Sequence, residues 1–212
     1  MSSTIVYRSA IASLATQVLI GLVTSVGFFV TIPADVRDDM HVILWLEVGS
    51  RAVEFAWYAV VVCRYRTITT WTRYVDWVVS TPIMLLSTAF FFRHRTQSSL
   101  VAIFDAPPAY LMLAANWVML GFGLAVELHS IPRFYGLAFG GLAFVGAFTS
   151  LATYIDDDAL SIGLFTVVYF VWGLYGVAAG FGDVAKNVAY NVLDVFSKNF
   201  YGLFLTVYIL TL

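Results

Sequence analysis

Charge is scarce in this sequence. Of 212 residues, 11% are Asp, Glu, Lys or Arg, against about a quarter in ordinary globular chains. A soluble domain needs a charged surface, so the shortage argues against one before any motif is read. Neither sign is in surplus: the formal net charge is −2, without the basic signature of a nucleic-acid binder. Cysteine is nearly absent. Cys63 stands alone in an apolar run, so an intramolecular disulfide and a cysteine metal cluster are both excluded, and no metal site is expected. The three histidines, His41, His94 and His129, fall between apolar runs and are expected to be solvated. Proline is sparse as well. Pro33, Pro107, Pro108 and Pro132 fall at expected ends and loops, where a missing N–H costs little. Pro82 alone falls inside an apolar run, which a membrane helix tolerates when neighbours satisfy the freed carbonyl.

Apolar residues take the place of charge. They make up 61% of the chain, and the mean hydropathy is +0.87. A hydrocarbon core of about 30 Å is crossed by about 20 helical residues. Runs of that order recur seven times, predicting spans at 8–31, 42–63, 71–92, 108–127, 133–154, 159–181 and 185–211. The run from Ile11 to Ile32 is long enough to be a span itself, so no cleaved leader is expected. The prediction is an all-α, multi-pass integral membrane protein: one seven-helix domain over 1–212, embedded in a lipid bilayer. Connections are short and carry most of the charge, at Asp35 to His41, Arg93 to Gln97, Glu127 to Arg133 and Asp156-Asp157-Asp158. Arg37, Arg93 and Arg95 flank one side; Arg8, Arg64, Arg66, Arg133 and Lys186 flank the other, so flanking charge does not decide the orientation.

Ionisable groups inside spans are costly and default to a functional hypothesis. Asp194 and Lys198 share one face of the seventh span, and Arg73 and Asp76 one face of the third. Two positive and two negative groups make a neutral cluster. On charge alone, a structural ion-pair network and a functional site explain it equally well. A second group, Glu47, Arg51 and Glu54, lies on one face of the second span. It reads either as an ion-pair stripe or, with Glu54 deep and costly if unpaired, as the acidic lining of an ion path.

The surroundings of the first cluster carry a resemblance. The third span reads Arg73-Tyr74-Val75-Asp76-Trp77-Val78-Val79-Ser80-Thr81-Pro82, the seventh Leu193-Asp194-Val195-Phe196-Ser197-Lys198, and the sixth Trp172-Gly173-Leu174-Tyr175, with Met119 and Gly123 on the fourth. In this order on seven spans, the pattern resembles the microbial (type I) rhodopsins across essentially the whole chain. The resemblance implies a seven-helix bundle enclosing all-trans retinal, N-terminus outside, a photoreceptor rather than an enzyme. It implies a Schiff base on Lys198, with Asp76 and Asp194 as counterions and Asp76 the proton acceptor. Arg73 balances charge, and Tyr58 and Tyr175 hold Asp194. Trp77 and Trp172 sandwich the polyene, Met119 and Gly123 lie near the ring, and Thr81 and Asn116 link the third and fourth spans.

The transport mode divides the family. An outward proton pump of the usual kind has a carboxylic acid eleven residues after the third-span aspartate; here that position is Ser87, with Ser80 replacing the usual threonine. The second span resembles that of channelrhodopsins: Glu47 and Glu54 stand a heptad apart, Phe55 follows Glu54, and Asn199 follows the lysine. This resemblance implies a gate of Ser13, Glu54 and Asn199, with Glu47, Arg51, Ser80 and Ser87 as pathway candidates. Two glutamates rather than a long row, and Thr81 with Asn116 in place of a cysteine–aspartate pair, depart from the algal channels. The short loops are more similar to rhodopsins of large algal viruses, which implies residence in a host-cell membrane. The expectation is a light-gated cation channel. An outward proton pump and a sensory rhodopsin are the alternatives; all three are compatible with a homo-oligomer.

Overall fold

The computed structural model describes residues 2–64 and 69–212; Arg66, counted among the flanking charges, lies outside the described residues. Helix α1 covers Ser2–Ser25 and runs into a 3-10 turn at Val26–Phe28. Then come α2 (Arg37–Arg64), α3 (Arg73–Arg95), α4 (Pro107–Glu127), α5 (Arg133–Ala152) and α6 (Ala159–Ala179). The seventh rod is composite: α7 (Asp183–Asp194), a π-helical turn (Val195–Asn199) and α8 (Phe200–Leu210). Sequential helices pack side by side and α1 packs on α7, which closes the bundle.

Several ends differ from the spans read from hydropathy, because helix ends follow dipoles and caps rather than apolarity. α1 ends earlier than expected: Thr24 and Ser25 turn their hydroxyls back onto the carbonyls of Ile20 and Leu22. α2 starts at Arg37, inside the expected loop, with Asp38 and Asp39 in its first turn, where carboxylates favour the N-terminal dipole. α3 runs on to Arg95, with Arg93, His94 and Arg95 in its last turn, where cations favour the C-terminal dipole. Gln97 at φ 53° closes it, and His129 at φ 56° closes α4. Asp158 caps α6, its carboxylate accepting from the Ser161 N–H.

His94 is therefore not a solvated loop residue. It is buried on α3, facing Asp39 at 3.4 Å and the Tyr208 hydroxyl at 3.3 Å. Arg95 beside it holds Asp158 with two nitrogens at 3.0 and 2.9 Å and donates to the Tyr208 hydroxyl. Asp158, in one of the charged connections, is thereby half of an ion pair. These contacts tie α2, α3, α6 and α8 together at one end of the bundle.

Five helical stretches are long and apolar enough to cross a membrane by length and composition: Thr4–Phe28, Thr70–Arg95, Pro107–Glu127, Arg133–Ala152 and Ala159–Ala179. The other two rods are α2 and the composite seventh. They carry most of the inward ionisable groups, among them Glu47, Glu54, Lys186, Asp194 and Lys198, all buried. Large apolar side chains such as Leu19, Trp45, Leu142 and Phe170 stay exposed on the outside, as lipid-facing positions do.

Candidate functional site

Lys198 sits in the π-turn of the seventh rod. Such turns are rare and occur frequently at functional sites, because the extra residue re-aims the side chains around it. The Lys198 Nζ donates to Asp76 Oδ2 at 2.7 Å, and Glu54 Oε1 lies 3.6 Å away. Lys198, Asp76, Glu54, Arg73 and Asp194 are each at most 2% exposed. Burial on that scale is costly for any charge left alone, so the geometry has to pair them.

It does so in two linked halves. Asp194 accepts from the Tyr58 hydroxyl at 2.6 Å, from the Tyr175 hydroxyl at 2.8 Å and from Arg73 Nη1 at 3.2 Å. Arg73 also donates through Nε to Asn187 Oδ1 at 3.1 Å and through Nη2 to Asn191 Oδ1. Its guanidinium carbon lies 4.9 Å from the Trp57 ring centroid. Asp76 thus faces the lysine, while Asp194 is held by two phenols and the arginine. Of the two aspartates expected as counterions, Asp76 is the one bonded to the lysine.

This lysine lines an apolar cavity of about 280 Å³. Its lining includes Trp77, Trp172, Thr81, Met119, Gly123, Tyr175, Tyr190 and Lys198. The predicted pocket residues therefore meet around one space. Gly141 and Gly176 also line it, and a Cβ at either would meet no heavy atom within 4 Å. Asn116 donates to Thr81 Oγ1 at 2.9 Å, joining α3 to α4.

The other expected positions are placed as follows. Ser87 is buried and shares a hydrogen bond with the Tyr201 hydroxyl at 3.1 Å; Ser80 is buried, and among the described residues its hydroxyl has no partner. Arg51 donates to Glu47 Oε1 at 2.7 Å and also to Thr24 Oγ1. The expected hydrogen-bonded triplet of Ser13, Glu54 and Asn199 does not form. Ser13 Oγ instead accepts from Gln17, one turn along α1, at 3.2 Å. Among the described residues, Glu54 Oε1 and both amide atoms of Asn199 have no hydrogen-bond partner.

Sequence reading passed over Asn187, Asn191, Ser197, Gln17 and Ser50. A signal for the first two was present: Asn187, Asn191, Asp194 and Lys198 follow the spacing of one helix face. It also left Lys186 unpartnered, whereas Lys186 Nζ pairs with Glu127 at 2.8 Å.

A bundle of membrane-crossing helices around an apolar cavity, with a buried lysine–carboxylate pair in its wall, defines a membrane protein with room for an apolar molecule beside an amine. The chain belongs to the bacteriorhodopsin-like family: residues 9–212 match the family described as "Bacteriorhodopsin-like protein". It is similar to the crystal structure of the viral rhodopsin OLPVRII, at 30% identity over 97% of this chain and 98% of that one, with a TM-score of 0.86. It shares its fold with bromide-bound halorhodopsin from Halobacterium salinarum, at 17% identity over 98% of this chain and 94% of that one, TM-score 0.77. It also shares it with the light-driven proton pump LR (Mac) from Leptosphaeria maculans, at 15% identity over 98% and 97% of the two chains, TM-score 0.77. No curated protein sequence matches it. The family binds retinal, and the cavity suits it: apolar, lined by Trp77 and Trp172, and with the Lys198 amine in its wall.

Proposed function

We propose that this protein is a photoreceptor carrying all-trans retinal on Lys198 and working as a light-gated cation channel. Retinal bound there supplies absorption of visible light and a change of shape on isomerisation. The residues supply the rest. Asp76, 2.7 Å from Lys198 Nζ, is placed to accept the proton that nitrogen releases. Arg73, Tyr58 and Tyr175 hold Asp194 in place on the far side of the site, leaving Asp76 as the carboxyl bonded to the lysine. Trp77 and Trp172 confine the cavity.

The observation that carries the channel reading is a string of buried polar atoms leading away from Lys198 that have no hydrogen-bond partner among the described residues. It comprises Glu54 Oε1, both amide atoms of Asn199, Ser50 Oγ, Arg51 Nη2, Glu47 Oε2 and Gln17 Oε1. They lie on α1, α2 and the seventh rod. Most of these residues line a second cavity of about 410 Å³, reaching from Glu54 and Asn199 to Thr24 and Thr206. Buried polar groups are satisfied almost without exception, so such a string is the lining expected of a water-filled path. Glu54 Oε1 lies 3.6 Å from Lys198 Nζ, and that position supports its assignment as the gate. The pump alternative lacks this support: at Ser87 a hydroxyl bonds a phenol, and no carboxylic acid stands there.

Purified protein loaded with retinal in liposomes tests the proposal. With a sodium gradient and equal pH on both sides, light should collapse the gradient. Acidification of one side with the sodium gradient intact would show a pump.

A further inference from the structure

Pro82 lies inside α3, and its consequence is met by α4. Without an N–H, Pro82 leaves the carbonyl four residues earlier, on Val78, without its helical donor. In a bilayer no water replaces that donor. The indole Nε1 of Trp117 donates to the Val78 carbonyl at 3.1 Å. The preceding residue, Asn116, donates to Thr81 Oγ1, which donates in turn to the Trp77 carbonyl at 2.7 Å. Two successive residues of α4 thus grip the stretch of α3 that carries Asp76, Trp77 and Thr81.

Ordinary explanations for this tryptophan do not fit its position. Trp117 falls at the middle of α4 (Pro107–Glu127), far from either membrane surface, where tryptophans gather for other reasons. It is 49% exposed, so core packing does not demand it, and it does not line the chromophore cavity. At mid-membrane depth an indole N–H needs an acceptor, and the one it has is the carbonyl that proline set free.

We infer that Trp117 is a positioning residue: its indole replaces the donor that Pro82 removes, and so holds Asp76 at its distance from Lys198. The helix geometry carries this by itself; only its effect on the pigment rests on the proposed retinal attachment.

The test compares full-length protein with W117F, P82A and the double variant. Phenylalanine keeps the lipid-facing ring and removes the donor. Alanine at 82 restores an N–H to Val78 from within α3. In W117F the Val78 carbonyl carbon, followed by NMR in isotope-labelled protein without retinal, should move upfield. In retinal-loaded W117F the visible band should move to longer wavelength, because the carboxylate no longer holds the cation as closely. In the P82A background, W117F should produce neither shift. An unmoved Val78 carbonyl in W117F, or equal shifts in both backgrounds, overturns the inference and leaves Trp117 an ordinary lipid-facing aromatic. If P82A does not fold, the carbonyl shift in W117F decides alone. Absence of a visible band in the unsubstituted protein counts against the retinal reading, and the carbonyl measurement still decides the inference.

Discussion

Glu54 Oε1 lies 3.6 Å from Lys198 Nζ and has no hydrogen-bond donor among the described residues. The lysine therefore has two carboxyl groups within reach, and only Asp76 at 2.7 Å is bonded to it. With Asp194 there are three carboxyls against Lys198 and Arg73, so one proton among the three makes the cluster neutral. Glu54→Gln keeps the shape and removes the carboxyl. Photocurrent should fall several-fold and its ion selectivity should change, while the visible band persists. Unchanged currents in patch-clamp recording would remove Glu54 from the gate.

Lys198→Ala should abolish the visible absorption band. The helical bundle should remain, since apolar burial is retained and the buried cation is lost. Leaving Asp76 without its partner costs stability, on the order of 3 kcal/mol. A spectral titration of apo-protein with retinal, read beside circular dichroism, separates loss of pigment from loss of fold.

The two tyrosines on Asp194 are not equal to their neighbours in the core. Tyr58→Phe removes a 2.6 Å hydrogen bond to a buried carboxylate. The expected cost is about 1.5–3 kcal/mol, read as a lower thermal midpoint of the apo-protein. Asp194→Asn should cost more, about 3–5 kcal/mol, because it leaves the Arg73 guanidinium buried with a weaker partner.

Gly202 marks a close approach between the seventh rod and α2. A Cβ there would stand 2.5 Å from Glu47 Oε1 and 2.6 Å from Arg51 Cζ. Gly202→Ala must displace the Glu47–Arg51 pair, at a cost of about 1–3 kcal/mol. Thermal unfolding measures that cost. Photocurrent amplitude shows whether the displaced pair narrows the path.

Asp158 is held well below the usual carboxylate range by its hydrogen bonds to Arg95 and then to Ser161. Its folded-state value is depressed, so its contribution is present above the unfolded carboxylate value near ~4 and fades as the pH falls below it. Asp158→Asn keeps a competent helix cap and removes the charge pair. The pair is partly solvated, so the expected loss is ~0.5 kcal/mol at neutral pH, shrinking in acid. Thermal unfolding at pH 7 and pH 3 checks the sign: the gap between the variant and the parent should be narrower at the lower pH.

The core of the site was legible because its chemistry is carried by residue type at fixed spacing. Asp76, Lys198, Trp77 and Trp172 stand where a helical reading of one chain puts them. What stayed hidden depends on contacts between chain segments. Ser13 was expected against Glu54, but Gln17 one turn away takes its hydroxyl. His94 looked like a loop residue because hydropathy fell before the helix ended; its basic neighbours prolong α3 through the dipole rather than through apolarity. The π-turn under Lys198 has no hydropathy signal at all. Asn187 and Asn191 were visible as a polar stripe, yet their role needed Arg73 from another helix to give it meaning.

The most direct test of the central claim is whole-cell patch clamp with retinal supplied, recording photocurrent against voltage in two sodium gradients. A current that reverses sign, at a potential that moves with the gradient, is the predicted result. An outward current that never reverses across the same voltages would contradict the channel account and identify a light-driven proton pump.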